Sequence, residues 1–126
     1  MAAIRTFRIG TPRRRGEGLR IGTVRFLPRG VTKREYLKGD YFDVWFPTVS
    51  PSRGLVRWVK SRQWNPAVQR RFAERYRREM GVPDAAHAID LLAAVARRTP
   101  ISIGCYCEDE QRCHRSLLLA LVREHG

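Results

Sequence analysis

The sequence contains no apolar run approaching the ~20 residues that cross a bilayer, and its opening stretch, Met1 to Ile9, lacks the apolar centre of a signal peptide. A cytoplasmic protein with no membrane association is the expectation. Cysteine is scarce: three residues, all crowded between positions 105 and 113. An odd, clustered set cannot build a complete disulfide framework and suits a reducing compartment. There is no internal repeat and no low-complexity tract, and no cofactor is expected. Acids are sparse where bases are dense. Residues 1 to 80 carry 20 Lys or Arg against 6 Asp or Glu, whereas residues 81 to 126 carry 5 against 6.

What is present describes one globular unit. A chain of 126 residues is the size of a single domain with a real core, and 43% hydrophobic residues with three Trp, four Tyr and five Phe argue against disorder. The net charge of +13 attracts polyanions, so nucleic acid and phosphorylated molecules are the natural partners to consider. Of the 25 basic residues 22 are Arg, a bias that genome composition or thermal adaptation also produces.

Residues 4 to 9 and 19 to 27 read as two strands joined by the Gly- and Arg-rich loop from Gly10 to Gly18, and Pro28-Arg29-Gly30 ends the second. Tyr41 to Val49 reads as a short aromatic strand interrupted by Pro47. Ser52 is placed to cap a helix carrying Leu55, Val56, Trp58 and Val59, and Asn65 to cap a longer one that begins at Pro66. There Val68, Phe72, Tyr76 and Met80, at spacings of four, form an apolar stripe, with Arg70, Arg71, Arg75, Arg77 and Arg78 around it. Asp84 is expected to cap a third helix that ends in Arg97 and Arg98. Ile101 to Tyr106 then reads as a strand and Ser116 to Arg123 as a helix. The fold class is therefore α/β, a single compact domain with a partly parallel sheet flanked by helices.

The chemistry concentrates from Cys105 to Arg115, beyond the carboxyl end of that last strand, where ligands of α/β sheets bind. Four readings compete. In the first, Cys113, His114 and Arg115 form the first turn of the final helix and attract an anion, with Arg112 and Arg115 as charged donors. In the second, Cys113 is a nucleophile activated by His114 and the helix start. A phosphatase loop is excluded, because Arg112 follows Cys107 after four residues where five are needed, and Glu108, Asp109 and Glu110 would repel phosphate. In the third, Cys105, Cys107, Cys113 and His114 hold zinc, against which stands the adjacency of Cys113 and His114, poorly suited to converging on one ion. In the fourth, the cysteines simply pack in the interior.

Several segments together resemble the domain-of-unknown-function 488 (DUF488) family, in its YeaO-like group. They are Gly18-Leu19-Arg20-Ile21 with Arg25 and Leu27-Pro28-Arg29-Gly30, Asp43-Val44-Trp45 with Ser50-Pro51-Ser52, Phe72 with Tyr76 and Glu79, and Cys105 with Cys113-His114-Arg115. The resemblance implies one compact α/β domain in which Arg25, Pro28, Arg29 and Cys113-His114-Arg115 meet at a common pocket. Two departures stand out. Val24 and Leu27 replace an Asp and a Trp of the group's usual Asp-Arg-Leu-Trp-Pro-Arg-Gly, and Cys107 stands where Glu or a small residue is usual.

The leading expectation is a pocket for a small anionic or phosphate-bearing ligand, made by Arg25, Arg29 and Arg115 with Cys105 nearby. Cys113 and His114 are the candidate catalytic pair if the protein is a cysteine-dependent enzyme. Arg71, Arg75 and Arg78, at helical spacings on one face, are the candidate contacts if the partner is nucleic acid.

Overall fold

The computed structural model describes residues 4–27, 30, 32, 34–35, 41–107 and 113–126. Its centre is the segment Ile-Ser-Ile-Gly-Cys at 101–105, small or apolar at every position and buried along its whole length. A strand of that composition belongs inside a parallel sheet, where both faces are covered. Numbered along the chain, β1 is Ile4–Arg8, β2 Leu19–Gly22, β3 Val44–Trp45 and β4 Ile101–Cys105. The spatial order is β1-β4-β2-β3, with every pairing parallel: Ile4 and Leu19 both lie opposite Ile101, and Ile21 lies opposite Val44. Among the described strands the sheet is thus wholly parallel, a sharper result than the partly parallel sheet expected.

Alternation along the strands sends Ile4, Ile21, Ile101 and Ile103 to one face. They share a core with four helices, α1 (Arg53–Lys60), α2 (Pro66–Met80), α3 (Pro83–Arg98) and α4 (His114–His125), through Leu55, Phe72, Tyr76, Ile89, Leu92 and Leu118. The opposite face is covered differently. The Phe7 ring lies over Gly104 and the Phe42 ring over Gly22, so closely that a Cβ at either glycine would overlap the ring.

Over Phe7, at 4.4 Å from its ring centroid, sits the guanidinium of Arg20, which has no solvent exposure at all. Its Nε donates to Glu17 Oε1 at 3.0 Å and its Nη2 to Glu17 Oε2 at 3.1 Å, a two-pronged ion pair. Nη1 donates to the Thr11 carbonyl and Nη2 to that of Pro12, each at 3.0 Å. The loop before β2 is therefore folded around one buried cation. Ser102 Oγ donates to the Glu17 carbonyl at 2.7 Å, joining the loop to β4. Asp43 accepts from the Arg20 backbone N–H at 2.7 Å and from Arg13 at 3.0 Å, joining it to the start of β3.

The caps at Ser52 and Asn65 form as expected, each side-chain oxygen accepting from the N–H three residues on. Glu79 accepts from the Ser52 amide and hydroxyl, and Tyr76 donates to the Val49 carbonyl at 2.7 Å, so α2 is fastened to the start of α1. Three expectations need correction. The second strand stops at Gly22 instead of continuing to 27: the Thr23 N–H still donates to the Gly104 carbonyl, but the next carbonyls find partners off the ladder, that of Thr23 accepting from His114 and that of Val24 from the Trp45 indole. The aromatic strand is only Val44–Trp45, since Pro47 opens a 3-10 turn over Pro47–Val49. Asp84 is not the cap of α3. Pro83 takes the first helical position, Val82 precedes it in extended conformation, and Asp84 lies inside the first turn beside the helix dipole.

Burial works to raise the Glu17 pKa, but the hydrogen bonds from Arg20 and the Arg14 amide, with the nearby cations, outweigh it and hold the carboxyl below its ordinary 4.5. Because the folded value is the lower one, the stabilisation is complete above 4.5 and is lost as pH falls through the folded value. Glu17→Gln, which leaves the Arg20 charge buried, is expected to cost about 3–5 kcal/mol in urea denaturation at neutral pH and to flatten the acid limb of stability against pH. A cost under about 1 kcal/mol would show that the pair does not anchor the loop.

Candidate functional site

Parallel strands end together, and what their carboxyl ends carry is brought together. β4 ends at Cys105. β2 is followed by Thr23, Val24 and Arg25. The N-terminus of α4 approaches the same edge, with Cys113 as the residue before the helix, in extended conformation at φ −140° and ψ 158°, and His114 as its first member. Cys105 and Cys113 are paired through their sulfur atoms as a disulfide, while their Cα atoms stand 7.8 Å apart.

His114 Nε2 lies 2.6 Å from the Thr23 carbonyl oxygen, which only accepts, so Nε2 carries the proton. Burial lowers the His114 pKa to about 4, with the Arg115 charge pushing the same way and the Thr23 bond opposing, and the ring is neutral at neutral pH. Nδ1 therefore holds the lone pair, and it faces Cys113 Sγ at 3.5 Å. The ring also packs against Tyr76 at 5.6 Å between centroids. A sulfur, a second sulfur and an imidazole lone pair thus converge, their atoms all within 4.8 Å of one another. The adjacency of Cys113 and His114, taken from the sequence as an obstacle to convergence, is not one: the chain turns from extended to helical between them, and both side chains are directed inward.

These three residues form the floor of a cleft of about 720 Å³. Its walls are chiefly apolar and aromatic, including Phe26, Val56, Val59, Trp64, Phe72 and Tyr106, and Arg25, Lys60 and Arg62 supply positive charge. Arg25 is half-buried, with Nε donating to the Pro51 carbonyl at 3.0 Å and Nη2 to that of Ser50 at 3.3 Å, which locks the loop before α1 beside the cleft. Tyr106 donates to the Phe26 carbonyl at 3.2 Å, and burial, with Tyr41 adding to it, pushes its pKa up to about 12.

Arg115 does not line the cleft. It is buried behind the sulfur pair, Nη1 donating to the Phe7 carbonyl at 3.1 Å and reaching Cys105 Sγ at 3.7 Å. Cys107 lies on the cleft wall and is exposed. Arg29, Pro28 and Arg112 fall outside the described residues. Of the arginines on α2, Arg71 and Arg78 are exposed, whereas Arg75 is half-buried with its guanidinium over the Trp58 ring at 5.2 Å.

Sequence reasoning passed over Thr23, Lys60, Arg62, Trp64 and Phe72. The spacing of Phe72 places it in the core stripe, and it does pack there, while also lining the cleft. Thr23 acts chiefly through its backbone carbonyl, with its hydroxyl 3.2 Å from the same His114 nitrogen, and a lone threonine after a strand gives no sequence signal for either contact. Exposure and pairing order the cysteines: Cys107 is expected to react with iodoacetamide well before Cys105 or Cys113, with or without prior reduction, as peptide mass mapping over time reads, and a first modification at Cys113 would show that the cleft floor opens in solution.

No curated protein and no solved structure matches the chain. One family does: the sequence model of DUF488-N3a, described as the active DUF488-N3 subclade, matches residues 4–126. The match spans the loop that buries Arg20, the Thr23 to Arg25 edge and the Cys113-His114-Arg115 helix start together, and the chain belongs to the DUF488 family.

Proposed function

We propose that this protein binds a small ligand with an apolar body and an anionic group, such as a phosphate, in the cleft at the carboxyl ends of its strands. One observation carries the reading: Arg25, Lys60 and Arg62 share a mainly apolar cleft with Cys113 and His114. The walls take the apolar portion, the cations neutralise the anion, and the cluster at the floor is the reactive end. The net charge of +13 favours the approach of anions from a distance.

A second feature favours catalysis over binding alone. With Nε2–H committed to Thr23, His114 Nδ1 is an acceptor directed at Cys113 Sγ, so once the Cys105–Cys113 pair is reduced the Cys113 thiol has a hydrogen-bond acceptor beside it at the cleft. In this reading Cys113 is the nucleophile, His114 the base, and Arg25 an anchor for the ligand's charge.

Phenyl phosphate at about ten times its dissociation constant is expected to raise the thermal midpoint by several degrees. Inorganic phosphate and benzyl alcohol, each offering half of the recognition, should give less. Lys60→Gln with Arg62→Gln should remove most of the shift while leaving the unliganded midpoint within about 2 °C, since both side chains lie at the surface. Equal shifts with benzyl alcohol, or a shift insensitive to that double substitution, would refute the anionic half of the proposal.

A further inference from the structure

The cluster at the cleft floor has a property that nucleophilic chemistry does not require. Three soft or borderline donors, Cys105 Sγ, Cys113 Sγ and a His114 ring nitrogen, meet within 4.8 Å in a buried setting. Around a tetrahedral ion with bonds of roughly 2.0–2.3 Å, ligand atoms stand roughly 3.3–3.8 Å apart; Cys113 Sγ and His114 Nδ1, at 3.5 Å, already stand so, and the two sulfurs, paired here, part to that spacing when they are reduced and an ion enters between them. We infer that Cys105, Cys113 and His114 form a three-ligand site for a zinc-like divalent ion, with the fourth coordination position open to the cleft.

Three further observations support it. The imidazole is oriented as metal-bound histidines are: Nε2–H is held by a backbone carbonyl, that of Thr23 at 2.6 Å, which fixes the tautomer and turns the Nδ1 lone pair toward the sulfurs. The 7.8 Å between the Cα atoms of Cys105 and Cys113 lies outside the usual 4.4–6.8 Å span of a disulfide, whereas an ion between the sulfurs lengthens the bridge by an atom. Arg115 Nη1 lies 3.7 Å from Cys105 Sγ, so positive charge stands beside a sulfur that carries negative charge when it ligates. Cys107, exposed on the cleft wall, is outside the set.

The donor set defines the class of site. Two thiolates and an imidazole select a soft or borderline ion over magnesium or calcium, and three protein ligands leave a position for water or for an oxygen of a bound anion. That position faces the same cleft as Arg25, Lys60 and Arg62. With the ion in place, Cys113 is a ligand and its sulfur is withdrawn from nucleophilic attack. The inference therefore replaces the nucleophile reading of Cys113 and leaves the ligand cleft as it stands. It does not depend on which ligand the cleft takes.

The test uses the whole chain without an affinity tag, reduced, stripped of metal and titrated with cobalt(II) alone. The expected result is saturation at about one equivalent, with sulfur-to-cobalt charge-transfer absorption in the near ultraviolet and the intense visible bands of a tetrahedral site. Zinc(II) should displace the cobalt signal and protect Cys105 and Cys113, but not Cys107, from iodoacetamide in peptide mapping. Cys113→Ser should abolish the charge-transfer signal, and Cys107→Ser should keep it. The wild-type protection pattern decides the matter if Cys113→Ser fails to fold. Absence of tetrahedral cobalt absorption, protection of Cys107 in place of the other two, or purification as a metal-free Cys105–Cys113 disulfide that takes up cobalt no better after reduction would overturn the assignment.

Discussion

The arrangement rests on a charge that has no access to water. Arg20 lies in β2 with its guanidinium fully buried, and an isolated cation there would cost many kcal/mol. Glu17, the carbonyls of Thr11 and Pro12 and the Phe7 ring together make the burial tolerable. To supply those partners the whole loop before β2 must wrap one face of the sheet. Gly18, at φ 68° and packed directly against the Pro100 carbonyl, lets the chain turn back into β2 with no side chain in the way. The register of β2 on β4 follows, and three residues after Arg20 that register delivers the Thr23 carbonyl to His114.

The candidate site is thus an extension of the scaffold. Thr23 is tied to β4 through the Gly104 carbonyl and to α4 through His114, so the edge of the sheet and the start of the last helix are fixed to each other at one residue. Arg25 performs a similar service for the loop before α1, and Tyr76 and Glu79 fasten α2 to the start of α1. Many of the residues that carry the resemblance to the family are these fasteners. They hold the cleft walls at a fixed distance from the Cys105, Cys113 and His114 cluster, which is the preorganisation that a binding or reactive site needs.

Much of this was legible beforehand where the signal was local. Ser52 and Asn65 read as caps because their side chains reach an N–H three residues on, and they act so; the stripe of Phe72, Tyr76 and Met80 follows from the helical period, and all three are buried. The α/β class followed from alternating strand and helix patterns. Errors arose where a non-local partner decided the outcome. The end of β2 was misjudged because Trp45, 21 residues away, takes the Val24 carbonyl. Arg115 looked like a donor to ligand, yet its buried direction is set by the Phe7 carbonyl, 108 residues earlier.

By itself the sequence determined the fold class, the helix starts set by Ser52 and Asn65, and the concentration of cysteine and histidine between Cys105 and Arg115, because caps, periodicity and clustered side chains are properties of neighbouring residues. The tertiary structure alone decided which of those side chains meet. It placed Arg115 behind the sulfurs, put Lys60 and Arg62 beside the cleft, and turned the adjacent Cys113 and His114 onto one point with Cys105. The physical reason is that the direction of His114 is fixed by the Thr23 carbonyl, 91 residues away in the chain and 2.6 Å away in space, and no local pattern encodes that bond.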